Sequence, residues 1–116
     1  MKKVFVAVPP KYGLDDDGFR DYERKIEKIA LKVEKILDEH VVICNLKSSF
    51  LREKCNTQEN AKGFIFNCLY NLCNAELVIF AGDWEHSKEC RLLHTIAVGA
   101  DIPILDINTV MEGINP

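Results

Sequence analysis

The segment Lys3-Val-Phe-Val-Ala-Val8 is a nearly unbroken run of β-branched and aromatic residues that halts at Pro9-Pro10. Proline supplies no amide donor to a ladder and does not support a helical turn, so the run predicts a buried strand with an abrupt end. Beyond Lys11-Tyr12-Gly13, apolar residues recur at Phe19, Tyr22, Ile26, Ile29, Ala30, Val33, Ile36 and Leu37. Those intervals of three and four mark one face of a long helix. Asp15, Asp16 and Asp17 stand before it, suited both to cap its free amides and to meet the positive end of its dipole. Val41-Val-Ile-Cys44 predicts a second fully buried strand. The stretch 45–58 is polar and aperiodic. Helical spacing returns at Ala61, Phe64, Ile65, Cys68, Leu69, Leu72 and Cys73, with Asn56 or Thr57 as its cap. Leu77-Val-Ile-Phe-Ala81 predicts a third strand. The turn Gly82-Asp-Trp-Glu-His-Ser87 then leads into a third helix, capped by Ser87, carrying Glu89 in its first turn and ending near Gly99. Ile102 to Ile107 predicts a fourth strand.

Strands alternating with helices call for a parallel sheet covered on both faces, and near-continuous apolar strands suit a sheet buried from both sides. The pattern predicts a Rossmann-like, flavodoxin-like three-layer α/β sandwich. Its four parallel strands are expected in the order 2-1-3-4, with right-handed crossovers. Residues 1–116 contain no internal repeat, low-complexity tract or linker and read as a single domain.

Composition narrows the function classes. A chain of 116 residues with 47% apolar and 28% charged residues can fill a core, which argues against disorder. The balance of 15 Lys and Arg against 18 Asp and Glu gives a net charge of −3, with no block of consecutive cations. Duplex nucleic acid is not an expected partner, because neutralising phosphates requires clustered positive charge. No apolar run reaches the roughly 18 residues that span a bilayer, and Val4 to Pro9 is too short for a signal-peptide core, so a cytoplasmic protein without a membrane partner is expected. Five cysteines at 44, 55, 68, 73 and 90 form no CxxC pair, indicating neither a disulfide frame nor a zinc ribbon. Most read as small core residues, with Cys68 and Cys73 on the apolar side of their helix.

Open parallel sheets bind ligands beyond the carboxyl ends of their strands, near the point where strand order reverses. That rule selects residues 8–13, 82–87 and 106–109. The first two flank the expected switch point and, with the following helical turns, bring Val8, Pro9, Tyr12, Asp83, Trp84, Glu85, His86, Ser87, Lys88, Glu89 and His94 into consideration. Ser87 is explained as an N-cap, although the same amides and dipole suit an anion. Trp84, the sole tryptophan, suits stacking on a base or covering a sheet edge. His94 reads equally as a half-buried packed side chain. Three adjacent acids at 15–17 cannot all point at one ion, so no metal site is expected there. No GxGxxG or P-loop pattern occurs, and no cofactor is indicated.

The stretch Trp84-Glu-His-Ser-Lys-Glu-Cys-Arg-Leu-Leu-His94, followed by Ile96-Ala97 and Pro103-Ile-Leu, resembles the signature of small phage and bacterial domains related to nucleoside 2-deoxyribosyltransferases, roughly W-x-x-S-x-G-A-R-x-E-H-x-x-A. Lys3 to Pro10 is similar to the family's opening strand and turn, and Val41 to Leu46 to its second strand. The resemblance implies a nucleotide- or nucleoside-type pocket, and a homo-oligomer whose pocket a neighbouring copy completes. In the family, a glutamate of the third helix attacks the anomeric carbon of the sugar, as in a retaining glycosidase. Aligned on Trp84, Ser87, Arg91 and His94, that position holds Leu93. The family's second carboxylate falls at Cys68, with Asn67 beside it, its glycine after the serine at Glu89, and its first-loop glycine at Val8 or Pro9.

Three readings follow. The first is a nucleotide- or nucleoside-binding module of deoxyribosyltransferase-like fold without the usual glycosyl transfer. The second is an active N-glycosidase or deoxyribosyltransferase with a relocated carboxylate, Glu89, one helical turn or about 6 Å nearer the strand ends, or with Asp83 or Glu85. The third is an interaction subunit with no small ligand.

Overall fold

The computed structural model describes residues 1–11, 15–45 and 68–109. Four strands, β1 (Lys2–Ala7), β2 (Val41–Ile43), β3 (Leu77–Phe80) and β4 (Ile104–Asp106), form one all-parallel sheet in the order β2-β1-β3-β4. The fold is Rossmann-like. Helix α1 (Asp16–Leu37) follows β1, the helical residues 68–73 (α2) precede β3, and α3 (Lys88–Gly99) joins β3 to β4.

The pleat of the central strands explains the layering. Val4, Val6 and Val8 of the first strand segment and Leu77, Ile79 and Ala81 of the third share one core with Ile26, Ile29 and Val33 of α1. The alternate residues, Phe5, Ala7, Val78 and Phe80, share the other with Leu72 of α2 and Cys90, Leu93 and Ala97 of α3. Side chains of successive strand residues leave on opposite faces, so a strand covered on both sides is apolar at every position. Phe5 pairs with Val78 and Ala7 with Phe80 in the β1–β3 register.

Helix α1 begins as its acids predict: Gly18 N donates to Asp15 Oδ1 at 2.7 Å, with Asp16 and Asp17 in the first turn. It ends at Asp38, in the left-handed region at φ 52°. The return into β2 is held by Glu34, whose Oε1 accepts from Val41 N at 3.1 Å and meets His40 Nδ1 at 3.3 Å. The Val41 amide first, then His40, lower the pKa of that carboxyl.

Several elements differ from expectation. β2 ends at Ile43 and is an edge strand, with β1 as its sole neighbour in the sheet order, so Val42 is 40% exposed rather than buried. Beyond it Asn45 continues the pairing with its side chain, accepting from Val6 N and donating to Val6 O, both at 2.8 Å. β4 is shorter than the apolar run 102–107, because Ile107 opens a helical turn at 107–109. Cys73 is exposed, whereas Cys68 on the same helix is buried. The rest of the second helix and its cap candidates lie outside the described residues. Among the described residues no helix is long and apolar enough to cross a membrane.

Candidate functional site

The carboxyl ends of β1 and β3, the two strands at the point where strand order reverses, deliver Pro9 and Gly82 to one rim. Gly82 has φ 67°, and a Cβ there would meet Pro9 Cδ at 3.6 Å. The left-handed backbone lets the chain turn tightly past the prolines at little steric cost. A single 3₁₀ turn at Trp84–His86 follows, and then α3. Ser87 caps α3 as its spacing predicts: its Oγ accepts from Cys90 N at 3.2 Å and donates to Glu89 Oε2 at 3.1 Å.

A cleft of about 470 Å³ opens between these segments, lined by Pro9, Pro10, Asp83, His86, Ser87, Lys88, Glu89 and Arg91. Its electrostatics are mixed. Lys88, Arg91 and the first-turn amides of α3 supply positive potential, and Asp83 and Glu89 supply acceptors. The Asp83 carboxylate bonds His86 Nδ1 and raises the imidazole pKa above its ordinary value. Glu89 is only 7% exposed, an unusual degree of burial for a carboxylate. The Cys90 thiol beneath it is pushed up to about 11 by burial.

Six of the residues brought into consideration therefore share one cleft: Pro9, Asp83, His86, Ser87, Lys88 and Glu89. Val8 does not line it; its side chain is packed in the α1-side core, and its carbonyl accepts from the Tyr22 hydroxyl at 3.3 Å. Tyr12 lies outside the described residues. Trp84 and His94 stack on one another, with ring centroids 5.1 Å apart, and both rest tilted on Phe80. The Trp84 indole N–H donates to Asp106 Oδ2 at 3.3 Å, toward β4 and away from Pro9. Leu93 is 1% exposed and part of the core between α3 and the sheet.

Of the remaining lining residues, Pro10 lies in the selected stretch 8–13 without having been singled out, and Arg91 entered only as a position of the family-like motif. Arg91 follows Ser87 by four positions, so helical periodicity alone puts it over the cap on the same face. Comparison with protein-family models, with curated proteins and with solved structures finds no match to this chain.

Proposed function

We propose that this chain is a nucleotide- or nucleoside-binding domain of deoxyribosyltransferase-like type that holds its ligand in the cleft between Pro9-Pro10 and the first turn of α3, without the family's glycosyl transfer. The observation that carries the reading is the place of the cleft, at the carboxyl ends of β1 and β3 and against a helix N-terminus. Ligands of open parallel sheets bind there, and the helix terminus suits an anionic group. Its volume of about 470 Å³ falls within the range of small-molecule sites. Lys88, Arg91 and protonated His86 would balance a phosphate, while Asp83 and Glu89 accept from sugar or base. Leu93 offers no nucleophile, and its burial keeps substrate from it. The same reading has a cytoplasmic protein whose cleft is completed by a second copy, a state that light scattering tests.

Calorimetric titration with nucleosides and their 5′-monophosphates tests the binding. Uptake weakened by Lys88→Ala and Arg91→Ala supports it. No heat with any purine or pyrimidine nucleotide at millimolar concentration leaves the interaction subunit as the surviving reading.

A second reading is favoured by the burial of Glu89 on the cleft wall and its bond from Ser87. A carboxylate held there could attack C1′ of a bound 2′-deoxynucleoside, break the bond to the base, and be released from the sugar ester by water. Free base released from deoxynucleosides by the native protein and not by Glu89→Gln would establish it.

A further inference from the structure

On the opposite face of the sheet from α3, a second cleft of about 530 Å³ opens between α1 and the carboxyl ends of β3 and β4. Arg24, Lys25, Lys28 and Lys32 line its α1 side, and Gly82 and Asn108 its strand-end side. Asp21 is the one carboxylate among the described residues of the lining, and it is bonded to Arg24 at 3.2 Å. A chain with a net charge of −3 thus gathers four cations against one acid in a single concavity.

An ordinary solvated helix face mixes charges at spacings of three and four, where opposite signs attract and like signs repel. Lys28 departs from that pattern, since its neighbours at those spacings are Arg24, Lys25, Leu31 and Lys32. Lys32 departs from it too, with Lys28, Ile29, Lys35 and Ile36. Glu23 and Glu27 of the same helix do not line the cleft. Among the described residues no carboxylate forms an ion pair with Lys25, Lys28 or Lys32, whereas Arg20 is taken up by Asp17 and Arg24 by Asp21.

The described strand-end wall, Ala81, Gly82, Ile107 and Asn108, carries no charged side chain. A Cβ at Gly82 would meet Lys25 Nζ at 3.7 Å, so the ammonium lies directly against the bare turn. The Asn108 side-chain amide donates to Gly82 O at 2.7 Å and fixes that turn in place. Convergent cations over a concave protein wall focus positive potential, and a bound anion relieves their mutual repulsion.

We propose that this cleft is a second ligand site, for a multiply charged phosphate anion: an oligophosphate chain, either free or carried by a nucleotide. Three ammonium groups without carboxylate partners among the described residues match an anion of three or more charges better than a single phosphate. The site lies across the sheet from the cleft at Ser87 and does not depend on the function proposed for that cleft.

The test is an amide-resolved NMR titration of the full chain with tripolyphosphate at low salt. Shifts are expected at Gly82, Asn108 and the α1 residues 24–32, with a submillimolar midpoint. The double variant Lys28→Gln/Lys32→Gln is expected to weaken binding by about tenfold, as is a rise to physiological ionic strength. Lys88→Ala leaves the midpoint unchanged. A parallel titration with a nucleoside triphosphate separates the two sources: an equal midpoint means the phosphate chain alone is recognised, and a tighter one means the nucleoside adds contacts. Shifts confined to residues 87–91, no shifts up to about 10 mM, a range that corresponds to negligible affinity, or a midpoint unmoved in the double variant would each overturn the proposal.

Discussion

The indole of Trp84 and the imidazole of His94 lie nearly parallel, with planes 15° apart and centroids 5.1 Å apart. Phe80, at the end of β3, supports both rings at 4.8 and 5.1 Å, and Asp106, at the end of β4, accepts the indole N–H. The aromatic cluster therefore ties the start of α3 to two strands. Both residues, candidates for ligand contact from their place after β3, pack here on Phe80.

Trp84→Ala should lower the free energy of unfolding by about 2–4 kcal/mol, and Trp84→Phe by about 1 kcal/mol, since the smaller ring keeps part of the contact and loses the bond to Asp106. Urea denaturation followed by circular dichroism measures both without the fluorophore. Nucleotide affinity at the Ser87 cleft should stay within about twofold in Trp84→Phe. A tenfold loss in that variant would put the base on the indole instead.

Leu93→Glu introduces a carboxylate at a position that is 1% exposed, among Phe5, Phe80 and Ala97 in the core. Burying an unpaired charge while losing a packed leucine should cost about 3–5 kcal/mol, a large fraction of a typical domain's stability. The carboxyl pKa should rise as burial disfavours its charged form. An unfolding midpoint equal to that of the native protein would mean that the site is open to water.

The thiols of the described residues should separate by accessibility. Cys73 is exposed, whereas Cys68 and Cys90 are buried and burial holds the Cys90 thiol at about 11. Cys44 is half-buried, and its pKa is raised by the same cause. Brief alkylation of the native protein near neutral pH, followed by peptide mass mapping, should label Cys73 and leave Cys68 and Cys90 unmodified until denaturant is added. Early modification of Cys90 would contradict the closed core beneath α3.

His86 and Asp83 make the Ser87 cleft pH-dependent. The Asp83 carboxylate raises the imidazole pKa, so the protonated form is favoured in the folded state. The attraction is fully present below the ordinary histidine pKa of 6.5 and is lost as pH rises through the elevated folded value. Proton-detected titration of the His86 ring should give a midpoint above 6.5, and Asp83→Asn should return it toward that value. Any phosphate held in the cleft should bind more weakly over the same upward pH window, because the imidazolium discharges.

Periodicity was enough to place the four strands, α1 and α3, because each pattern is local. Unbroken apolar runs marked β1 and β3 as buried strands, and Ser87 was legible as a cap from its own next three residues. Tertiary structure decided what lies across each element. Val42 is as apolar as Val78, yet it is exposed, because β2 has a neighbour on one side and the central strands have neighbours on both. Cys73 shares helical spacing with Cys68 but falls off the covered face. The candidate residues 83–94 are contiguous in sequence, but the turn into α3 divides them: Asp83, Ser87, Lys88 and Glu89 face the cleft at Pro9, while Trp84 and His94 pack on Phe80 and Leu93 enters the core. The cationic cleft illustrates the same limit. No cation block exists along the chain, and only α1's periodicity, set against the ends of β3 and β4, brings Arg24, Lys25, Lys28 and Lys32 to one place. A sequence specifies which face of an element is apolar, but which neighbour meets that face depends on contacts between residues far apart in the chain.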